Sequence, residues 1–218
     1  MPPADTDAET GFGPDFLAEL DVLLRLRRDV RRFRVDPLDP ELLESILERA
    51  ELAPSVGNSQ PWRWVEVSSA SARAQIRANF VAANADALAG YHGDRARSYA
   101  DLKLAGLDEA PTHLAVFTDE ACLQGHGLGR ATMPETLAYS SVAAIQTLWL
   151  AARARGIGLG WVSILDADAA TTTLAVPDSW RLTAYLCLGY PETTGEVPEL
   201  ERVGWQARTD PHARRFVR

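Results

Sequence analysis

Six arginines occupy the ten consecutive positions 25–34, and a single acid, Asp29, lies among them. A guanidinium group is planar, always charged and rich in donors, so it suits a dianionic phosphate better than a flexible lysine does. A solvated helix face is the ordinary alternative for such a run. This run ends a helical pattern, carries its own acid and continues into the extended segment VDP. We therefore interpret it as a clamp for a phosphorylated cofactor.

Other motifs that often carry chemistry are weak in this chain. The glycines of GIGLG, 156–160, resemble a dinucleotide-binding turn, but that turn requires the order strand, glycines, helix. The order predicted here is helix, glycines, strand. The loop GHGLGR, 125–130, lacks the lysine of a phosphate-binding loop. The four histidines show no metal-ligand spacing and GxSxG does not occur, so we expect neither a metal site nor a serine hydrolase.

Charge and composition limit the function classes further. With 218 residues, 46% of them hydrophobic, the chain suits one compact domain. Its net charge of -8 argues against nucleic acid and anionic membranes as partners, because both require a basic surface. Two cysteines are too few for a disulfide framework, which suggests a reducing compartment. Since signal-peptide and membrane-span patterns are both missing, we expect a soluble, cytoplasmic protein.

The elements that must position the arginines follow from hydrophobic spacing. Apolar residues over 16–24 predict a helix that delivers the arginines at its C-terminal end. Asp39 and Pro40 predict the start of a second helix. Residues 134–155 predict a long helix that is apolar on most faces, Val142 included, and therefore buried. Strands are predicted at 62–67, 113–118, 161–165 and 182–190.

Three segments fall outside this pattern, and the two terminal ones bound a domain at 15–190. Residues 1–14 are acidic and rich in proline and glycine, which predicts a disordered N-terminal arm. Residues 91–111 are mixed in character and predict a surface lid or an irregular helix. Residues 191–218 are rich in proline and charge without a core pattern, so we expect a C-terminal extension that wraps a partner subunit.

A serine in the third predicted strand is a candidate for ligand contact. Alternation along 161–165 places Trp161, Ser163 and Leu165 on one face and Val162 on the other. A hydroxyl among apolar side chains needs a partner if it is buried. A serine satisfied by the backbone is the ordinary explanation, and a bound ligand is the other.

Three stretches resemble the flavin-binding segments of the nitroreductase superfamily: RRDVRRF at 27–33, APSVGNSQPW at 53–62 and GIGLGWVSIL at 156–165. The aspartate at position 29, where serine is common, resembles one branch, the 5,6-dimethylbenzimidazole synthase family. The segments at 102–119 and 127–158 are also similar to that branch. The resemblance extends from about Arg25 to Arg208.

The resemblance implies a fold and an assembly. The fold would be α/β (α+β) and nitroreductase-like, with a mixed central sheet flanked by helices. Two chains would form a domain-swapped homodimer with FMN at the interface between the subunits.

It also implies a set of site residues. The arginines would hold the phosphate and ribityl chain of FMN, and the turn 55–60 would bind the polar edge of the ring and the ribityl hydroxyls. Ordinary turn chemistry explains that turn as well when the resemblance is set aside. Leu104 would bring the lid backbone to the ring, and Arg202 is nearly as good a phosphate ligand as Arg208. The implied FMN-binding residues are Arg27, Arg28, Asp29, Val30, Arg31, Ser55, Asn58, Gln60, Leu104, Trp161, Val162, Ser163 and Arg208.

The implied reaction consumes reduced FMN (FMNH2) together with O2. Its products would be 5,6-dimethylbenzimidazole, the lower ligand of vitamin B12, and erythrose 4-phosphate. Asp29 would be the catalytic base or proton shuttle beside the ribityl chain, and Ser163 would lie where oxygen adds to the ring. Neighbouring arginines lower the pKa of an aspartate, and burial could offset that effect.

Two other functions remain open at this point. An NAD(P)H-dependent nitroreductase or flavin reductase would share the fold and the phosphate clamp. A non-catalytic flavin-binding protein would need neither Asp29 nor Ser163. On the synthase interpretation we expect no nicotinamide site, and a separate flavin reductase would supply FMNH2.

Overall fold

A computed structural model describes residues 11–218, and its elements surround one four-stranded sheet. The helices are α1 (Pro14–Leu26), α2 (Pro40–Ala50), α3 (Ala70–Ala89), α4 (Gly93–Ala100), α5 (Thr136–Ala154), α6 (Ala167–Leu174) and α7 (Glu199–Arg202). The strands are β1 (Trp62–Glu66), β2 (Thr112–Asp119), β3 (Gly158–Val162) and β4 (Trp180–Gly189). All four predicted strands are therefore present, with shifted ends.

The spatial order of the strands is β1-β2-β4-β3, so β1 and β3 form opposite edges of the sheet. The three pairings between these strands are all antiparallel. The resemblance implied a mixed sheet, and the parallel component in the described chain is a single bridge between Asp29 and Leu159. That bridge attaches the arginine segment to the β3 edge.

The first two helices confirm the predicted boundaries around the arginines. α1 ends at Leu26 and Arg27 is its C-cap, so the arginine segment continues where the helix stops. α2 begins at Pro40, and the Asp39 side chain accepts a hydrogen bond from the Glu41 amide. This cap satisfies an amide that a helix N-terminus otherwise leaves without a partner.

The two faces of the sheet bury separate apolar cores. Along β2, Leu114 and Val116 face the core under α2 and α5, whereas Ala115 and Phe117 face the core under α3 and α6. This alternation follows the two-residue period of a strand. Helices thus cover both faces of the sheet.

Helix α5 corresponds to the long helix predicted over 134–155 and packs across the sheet. Its inner face buries Ile145 and Leu148. The prediction of burial is wrong for the opposite face, where Tyr139 and Val142 are exposed. α5 therefore presents an apolar stripe on the surface of the described chain.

The two ends of the chain differ in how they relate to this domain. Residues 1–10 of the predicted disordered arm lie outside the described residues. Residues 191–218 bury none of their side chains but contact the arginine segment. Arg28 Nε donates to the Glu196 carbonyl at 2.7 Å, and Arg32 pairs with Glu199. Within residues 11–218, no helix combines the length and the apolarity that crossing a membrane requires.

Candidate functional site

The arginine segment crosses the β3 edge in close contact with the glycines of GIGLG. The Val30 amide donates to the Leu159 carbonyl at 3.0 Å. A Cβ at Gly160 would overlap the Val30 carbonyl oxygen, and a Cβ at Gly158 would lie 2.8 Å from Val30 Cγ2. These glycines follow α5 and begin β3, which confirms the predicted order of helix, glycines, strand. Their role is to let the arginine segment approach the sheet.

Four arginines, Arg27, Arg28, Arg31 and Arg208, line a cavity of about 230 Å³ together with the carboxylates of Asp29 and Glu199. Arg27 lies over the Trp149 ring, 4.7 Å from its centroid. Arg28 Nη1 donates to the Arg27 carbonyl at 2.7 Å. Pockets for a whole small molecule usually measure ~300–1,000 Å³, so this cavity fits one end of a larger ligand.

Two arginines of this cavity lack a carboxylate partner within the described chain. Among residues 11–218, neither Arg27 nor Arg208 forms an ion pair with a carboxylate. Burial lowers the pKa of Arg27, and the charge of Arg208 lowers it further, although Asp29 opposes both effects. Burial also lowers the pKa of Arg28, with added contributions from Arg208 and Arg27. A dianion would relieve this repulsion, so the donor set fits the phosphate group of FMN.

Asp29 is held by both of its carboxylate oxygens. Oδ2 accepts from Arg31 Nε at 2.8 Å, and Oδ1 accepts from the Trp161 amide at 2.9 Å. Burial raises the pKa of Asp29 above its ordinary value of 3.8 and outweighs the opposing effects of Arg31 and the Trp161 amide. A raised pKa makes this carboxylate a stronger base than a solvated aspartate, at a fixed position.

Arg31 differs from the other arginines of the segment in its contacts. Its side chain is only 12% exposed. Besides its bond to Asp29, its Nη1 donates to the Lys103 carbonyl at 3.2 Å. Arg31 therefore connects the carboxylate to the segment predicted as a lid.

The lid predicted over 91–111 contains α4 and an irregular stretch that reaches the arginine segment. A Cβ at Gly106 would overlap the Phe33 ring, so this close approach depends on glycine. Leu104 is half-buried, and in the sequence it lies between Lys103 and Gly106. The lid backbone thus lies against the arginine segment.

Ser163 lies beyond the strand that was predicted to carry it. β3 ends at Val162, and the chain then leaves the sheet and begins α6. The predicted alternation of side chains between the two faces of a strand therefore does not apply to Ser163. Ser163 is exposed, whereas Val162 is buried in the core under α3 and α6. Trp161 packs against the opposite core, and its amide is the donor to Asp29.

The turn 55–60 is stabilised by its own side chains. Ser55 Oγ accepts from the Gln60 amide at 3.1 Å. Gln124 Nε2 donates to the Asn58 carbonyl at 2.7 Å and to Gln60 Oε1 at 2.9 Å. Asn58 and Gln60 have positive φ values of 54° and 43°, a region that few side chains adopt. Ordinary turn chemistry therefore accounts for part of this sequence.

Within one chain the two halves of the predicted site lie apart. The turn leads into β1, Asp29 is attached to β3, and β2 and β4 lie between them. With neighbouring strands ~4.8 Å apart, the two edges are separated by roughly 14 Å. The residues brought together are Arg27, Arg28, Asp29, Val30, Arg31, Trp161 and Arg208, with the lid residue Leu104 close by. The residues at the opposite edge are Ser55, Asn58 and Gln60.

Comparison with known proteins identifies the family of this chain. A model of the Nitroreductase family matches residues 24–190, which include the arginine segment, the turn, the lid and the entire sheet. The chain belongs to the nitroreductase family. A 5,6-dimethylbenzimidazole synthase of Rhodospirillum rubrum is 57% identical over 201 residues, or 92% of this chain and 95% of that protein. A protein of the same name from Rhodobacter capsulatus is 52% identical over 184 residues, or 84% of this chain and 89% of that protein.

Similarity to solved structures confirms the fold. An iodotyrosine deiodinase bound to FMN and 3-iodo-L-tyrosine superposes with a TM-score of 0.70 and 25% identity, over 91% of this chain and 97% of that chain. A nitroreductase with bound FMN from Desulfitobacterium hafniense superposes with a TM-score of 0.61 and 23% identity, over 87% of this chain and 98% of that chain. The nitroreductase-like fold that the motifs indicated is therefore confirmed.

Two features of this nitroreductase-family site were missed by reasoning from the sequence. Trp149 was interpreted only as an apolar position of α5, although it stacks on Arg27. A large aromatic residue on a buried helix near an arginine cluster is a usable signal for such a pair. The Lys103 carbonyl carries no sequence signal, because nearly every position offers the same group.

Proposed function

We propose that this protein is a 5,6-dimethylbenzimidazole synthase. It uses O2 to break FMNH2 into 5,6-dimethylbenzimidazole, the lower ligand of vitamin B12, and erythrose 4-phosphate. The names of relatives that are 57% and 52% identical support this reaction. The observation that carries it is Asp29, a fixed carboxylate with a raised pKa beside the arginine cluster. An enzyme that only cycles FMN between oxidation states needs no base at that position.

The phosphate of FMN is held by Arg27, Arg28 and Arg208. Their repulsion in the 230 Å³ cavity supports this assignment, since a dianion lowers the free energy of the whole cluster. FMN supplies the ring and the sugar chain that the reaction consumes. Asp29 lines the same cavity, so it lies beside the chain that leaves the phosphate.

Asp29 acts as the base that accepts a proton from the first carbon of the ribityl chain. The Arg31 guanidinium and the Trp161 amide fix its orientation, and burial raises its pKa so that it accepts a proton more readily. General base catalysis by a positioned side chain contributes ~10²–10⁴-fold to a rate.

Ser163 is the second catalytic residue that we propose, at the position where oxygen adds. It lies two residues after the Trp161 amide that holds Asp29, which keeps it at the same end of β3. Val162 and Leu104 contribute backbone from β3 and the lid. Ser163 is exposed in the single chain, as expected for a site that a partner subunit covers.

A second copy of the chain completes the site as a homodimer. Besides Tyr139 and Val142 of α5, the preceding loop exposes Leu123, Leu128 and Met133, and exposed apolar residues in such numbers are typical of an interface. Gln124 in the same loop holds the turn 55–60. A two-fold interface through this surface supplies the turn of one subunit to the arginine segment of the other.

The C-terminal extension, 191–218, wraps the partner subunit in this assembly. It ends in exposed Phe216 and Val217, which find no core within the described part of their own chain. Its earlier part contacts the arginine segment through Glu196 and Glu199. The extension therefore links the flavin site to the subunit interface.

The test is to mix the protein with chemically reduced FMN under argon, admit air and identify the products by mass spectrometry. We expect 5,6-dimethylbenzimidazole together with erythrose 4-phosphate. Hydrogen peroxide as the sole product would instead indicate a flavin-cycling enzyme, and slowed oxidation without either product would indicate a flavin-binding protein. With FMN bound, NADPH should not be oxidised at enzymatic rates unless a separate flavin reductase is added.

A further inference from the structure

The C-terminal extension contacts the lid through Trp205, a half-buried residue that follows α7. The Arg95 guanidinium of α4 lies over the Trp205 ring, 3.8 Å from its centroid, and Arg95 Nη1 donates to the Trp205 carbonyl at 3.1 Å. The rings of Tyr91 and Tyr99 pack against Trp205 at steep angles, with centroids 5.6 Å and 6.0 Å away. Trp205 is therefore held by three side chains of the lid.

The lid side of this contact is also attached to the body of the domain. Tyr91 and Tyr99 stack on each other with their centroids 4.8 Å apart. Tyr99 is buried, and its hydroxyl donates to Asn84 Oδ1 of α3 at 2.8 Å. Aromatic pairs and cation–π contacts stabilise a structure beyond the area that they bury. Trp205 thus gives α4 a second attachment, which comes from the C-terminal extension.

The same part of the extension, residues 198–208, lines the arginine cavity, and we call it the strap. Its cavity-lining residues are Pro198, Glu199, Leu200 and Arg208. The Trp205 amide donates to the Leu200 carbonyl at 2.8 Å, and Glu199 pairs with Arg32 at 2.5 Å. Arg208 follows Trp205 by three residues, so their Cα atoms are at most ~10 Å apart. The strap therefore contacts the lid and the cavity at the same time.

We propose that Trp205 is a specificity-determining residue, which makes the order of the lid depend on the phosphate of the flavin. This inference rests on the proposed function, in which Arg208 binds that phosphate. A bound phosphate fixes Arg208, the strap carries this constraint to Trp205, and Trp205 holds α4. Riboflavin has no phosphate, so it leaves Arg208, the strap and the lid less ordered.

The coupling favours a phosphorylated flavin beyond the direct contacts of the phosphate. Ordering a lid costs conformational entropy, and a strap that is already fixed by the ligand lowers the remaining cost. By linkage, the same coupling free energy appears in the order of the lid and in the affinity for FMN. The lid then encloses a flavin fully only when its phosphate is bound, which suits a reaction that must exclude water.

The first test measures amide hydrogen exchange in α4, at 93–100, and requires no turnover. The protein is compared when saturated with oxidised FMN and when saturated with riboflavin. In the wild type, FMN should slow exchange in α4 more than riboflavin does, whereas in Trp205→Leu the two ligands should slow it equally. Trp205→Phe keeps an aromatic ring and should restore most of the difference. The matched control is Val203→Ala, an exposed residue of the strap, and it should behave as the wild type does.

The second test measures how much the phosphate adds to affinity, as the dissociation constant of riboflavin divided by that of FMN. Trp205→Leu should lower this ratio about fivefold or more, because coupling between two sites typically amounts to ~5–150-fold. Val203→Ala should leave the ratio unchanged. In Arg208→Gln, FMN should protect α4 no better than riboflavin does, and adding Trp205→Leu should lower the ratio little further, as expected for two residues that act through one coupling.

The proposal is overturned if Trp205→Leu keeps the wild-type ratio of affinities, even where exchange in α4 is faster with both ligands, because Trp205 would then only pack against the lid. Equal protection of α4 by FMN and riboflavin in the wild type overturns it as well. If Trp205→Leu does not fold, Arg95→Gln carries the test from the lid, since it removes the charge over the ring and should also lower the ratio. An unchanged ratio in Arg95→Gln then overturns the proposal. Because none of these measurements requires product, a wild-type protein that makes no benzimidazole would count against the proposed function alone.

Discussion

The arginines of the segment differ in their hydrogen-bond partners. Arg27, Arg28 and Arg31 line one cavity together with Arg208, and Arg31 also donates to Asp29 and to the Lys103 carbonyl. In the proposed function, Asp29 is a base among these positive charges. Arg31 forms an ion pair with it, and desolvation outweighs that pair.

Replacing Asp29 by asparagine tests its role as a base. Asparagine keeps an oxygen that can accept from the Trp161 amide, so FMN binding should change by only a few-fold. Formation of 5,6-dimethylbenzimidazole should fall by ~10²-fold or more, because the amide cannot accept the proton. Flavin fluorescence gives the dissociation constant, and chromatography gives the product. Asp36→Asn, an exposed carboxylate of the same segment, is the control, and retained product in Asp29→Asn would refute the assignment.

Asp29 should also give the apoprotein a pH-dependent stability. Its pKa in the folded state lies above the ordinary 3.8, so between those two values the folded state binds more protons than the unfolded state. The free energy of unfolding therefore falls as the pH rises through that window. In Asp29→Asn this decline should be absent. The free energy of unfolding of the variant should therefore rise relative to that of the wild type as the pH rises. Urea unfolding from about pH 4 to about pH 7 measures it, and a constant difference would contradict the raised pKa.

Comparing FMN with riboflavin isolates the phosphate ligands. Arg208→Gln should weaken FMN roughly ten- to a hundredfold and leave riboflavin nearly unchanged, because riboflavin has no phosphate. Arg202→Gln should have little effect on either ligand, since Arg202 lies outside the 230 Å³ cavity. Titration calorimetry with both ligands provides the measurement. The reverse pattern would identify Arg202 as the ligand.

At the scale of elements, the β3 edge positions the arginine segment. The arginine segment has little regular structure of its own, and its position depends on the bridge to Leu159 and on the absence of side chains at Gly158 and Gly160. A backbone packed this closely transmits any displacement to Asp29 and to the arginines.

Gly160→Ala should therefore impair binding through the backbone alone. The new methyl group would overlap the Val30 carbonyl oxygen, and overpacking of this kind costs ~1–3 kcal/mol of stability. FMN affinity should also fall, because a shifted Val30 carbonyl displaces the segment that carries Asp29 and the arginines. Gly195→Ala is the matched control, because a Cβ there meets no atom within 4 Å. Thermal melting and FMN titration of both variants check this, and equal behaviour would show that the contact is unimportant.

At the scale of the whole molecule, the sheet order separates the two halves of the site. The turn 55–60 and the arginine segment lie at opposite edges, which one chain cannot bring together without unfolding the sheet. The exposed apolar stripe of α5, with Tyr139 and Val142, offers a surface to which a second chain can bind. In such a dimer, the turn of one chain can meet the arginine segment of the other. A homodimer is thus part of the proposed site.

Mixed dimers test whether each site uses two chains. One chain carries Asp29→Asn, the other carries Asn58→Ala with Gln60→Ala, and two different tags allow the mixed dimer to be purified. If the turn is supplied by the partner, one of the two sites contains no substitution, and about half of the wild-type activity should return. If each chain forms its own site, the mixed dimer should be as inactive as its parents. A monomer in analytical ultracentrifugation would also contradict the shared site.

The sequence by itself determined the family and the local elements. Arginine density predicted a phosphate clamp, and the segments around Asp29 identified the nitroreductase family that the family model and the relatives confirm. Capping at Asp39 and the strand patterns also predicted local structure correctly, because caps and periodicity act between residues that are close along the chain.

Only the tertiary structure decided how these parts act on each other. It ended β3 before Ser163, exposed Val142 and placed the Arg31 guanidinium against the Lys103 carbonyl. It also buried Asp29 enough that desolvation outweighs the effect of its ion pair on its pKa. Each of these outcomes depends on groups distant in sequence, such as the Lys103 carbonyl. A backbone carbonyl leaves no trace in residue identity, and burial is a property of the packed molecule.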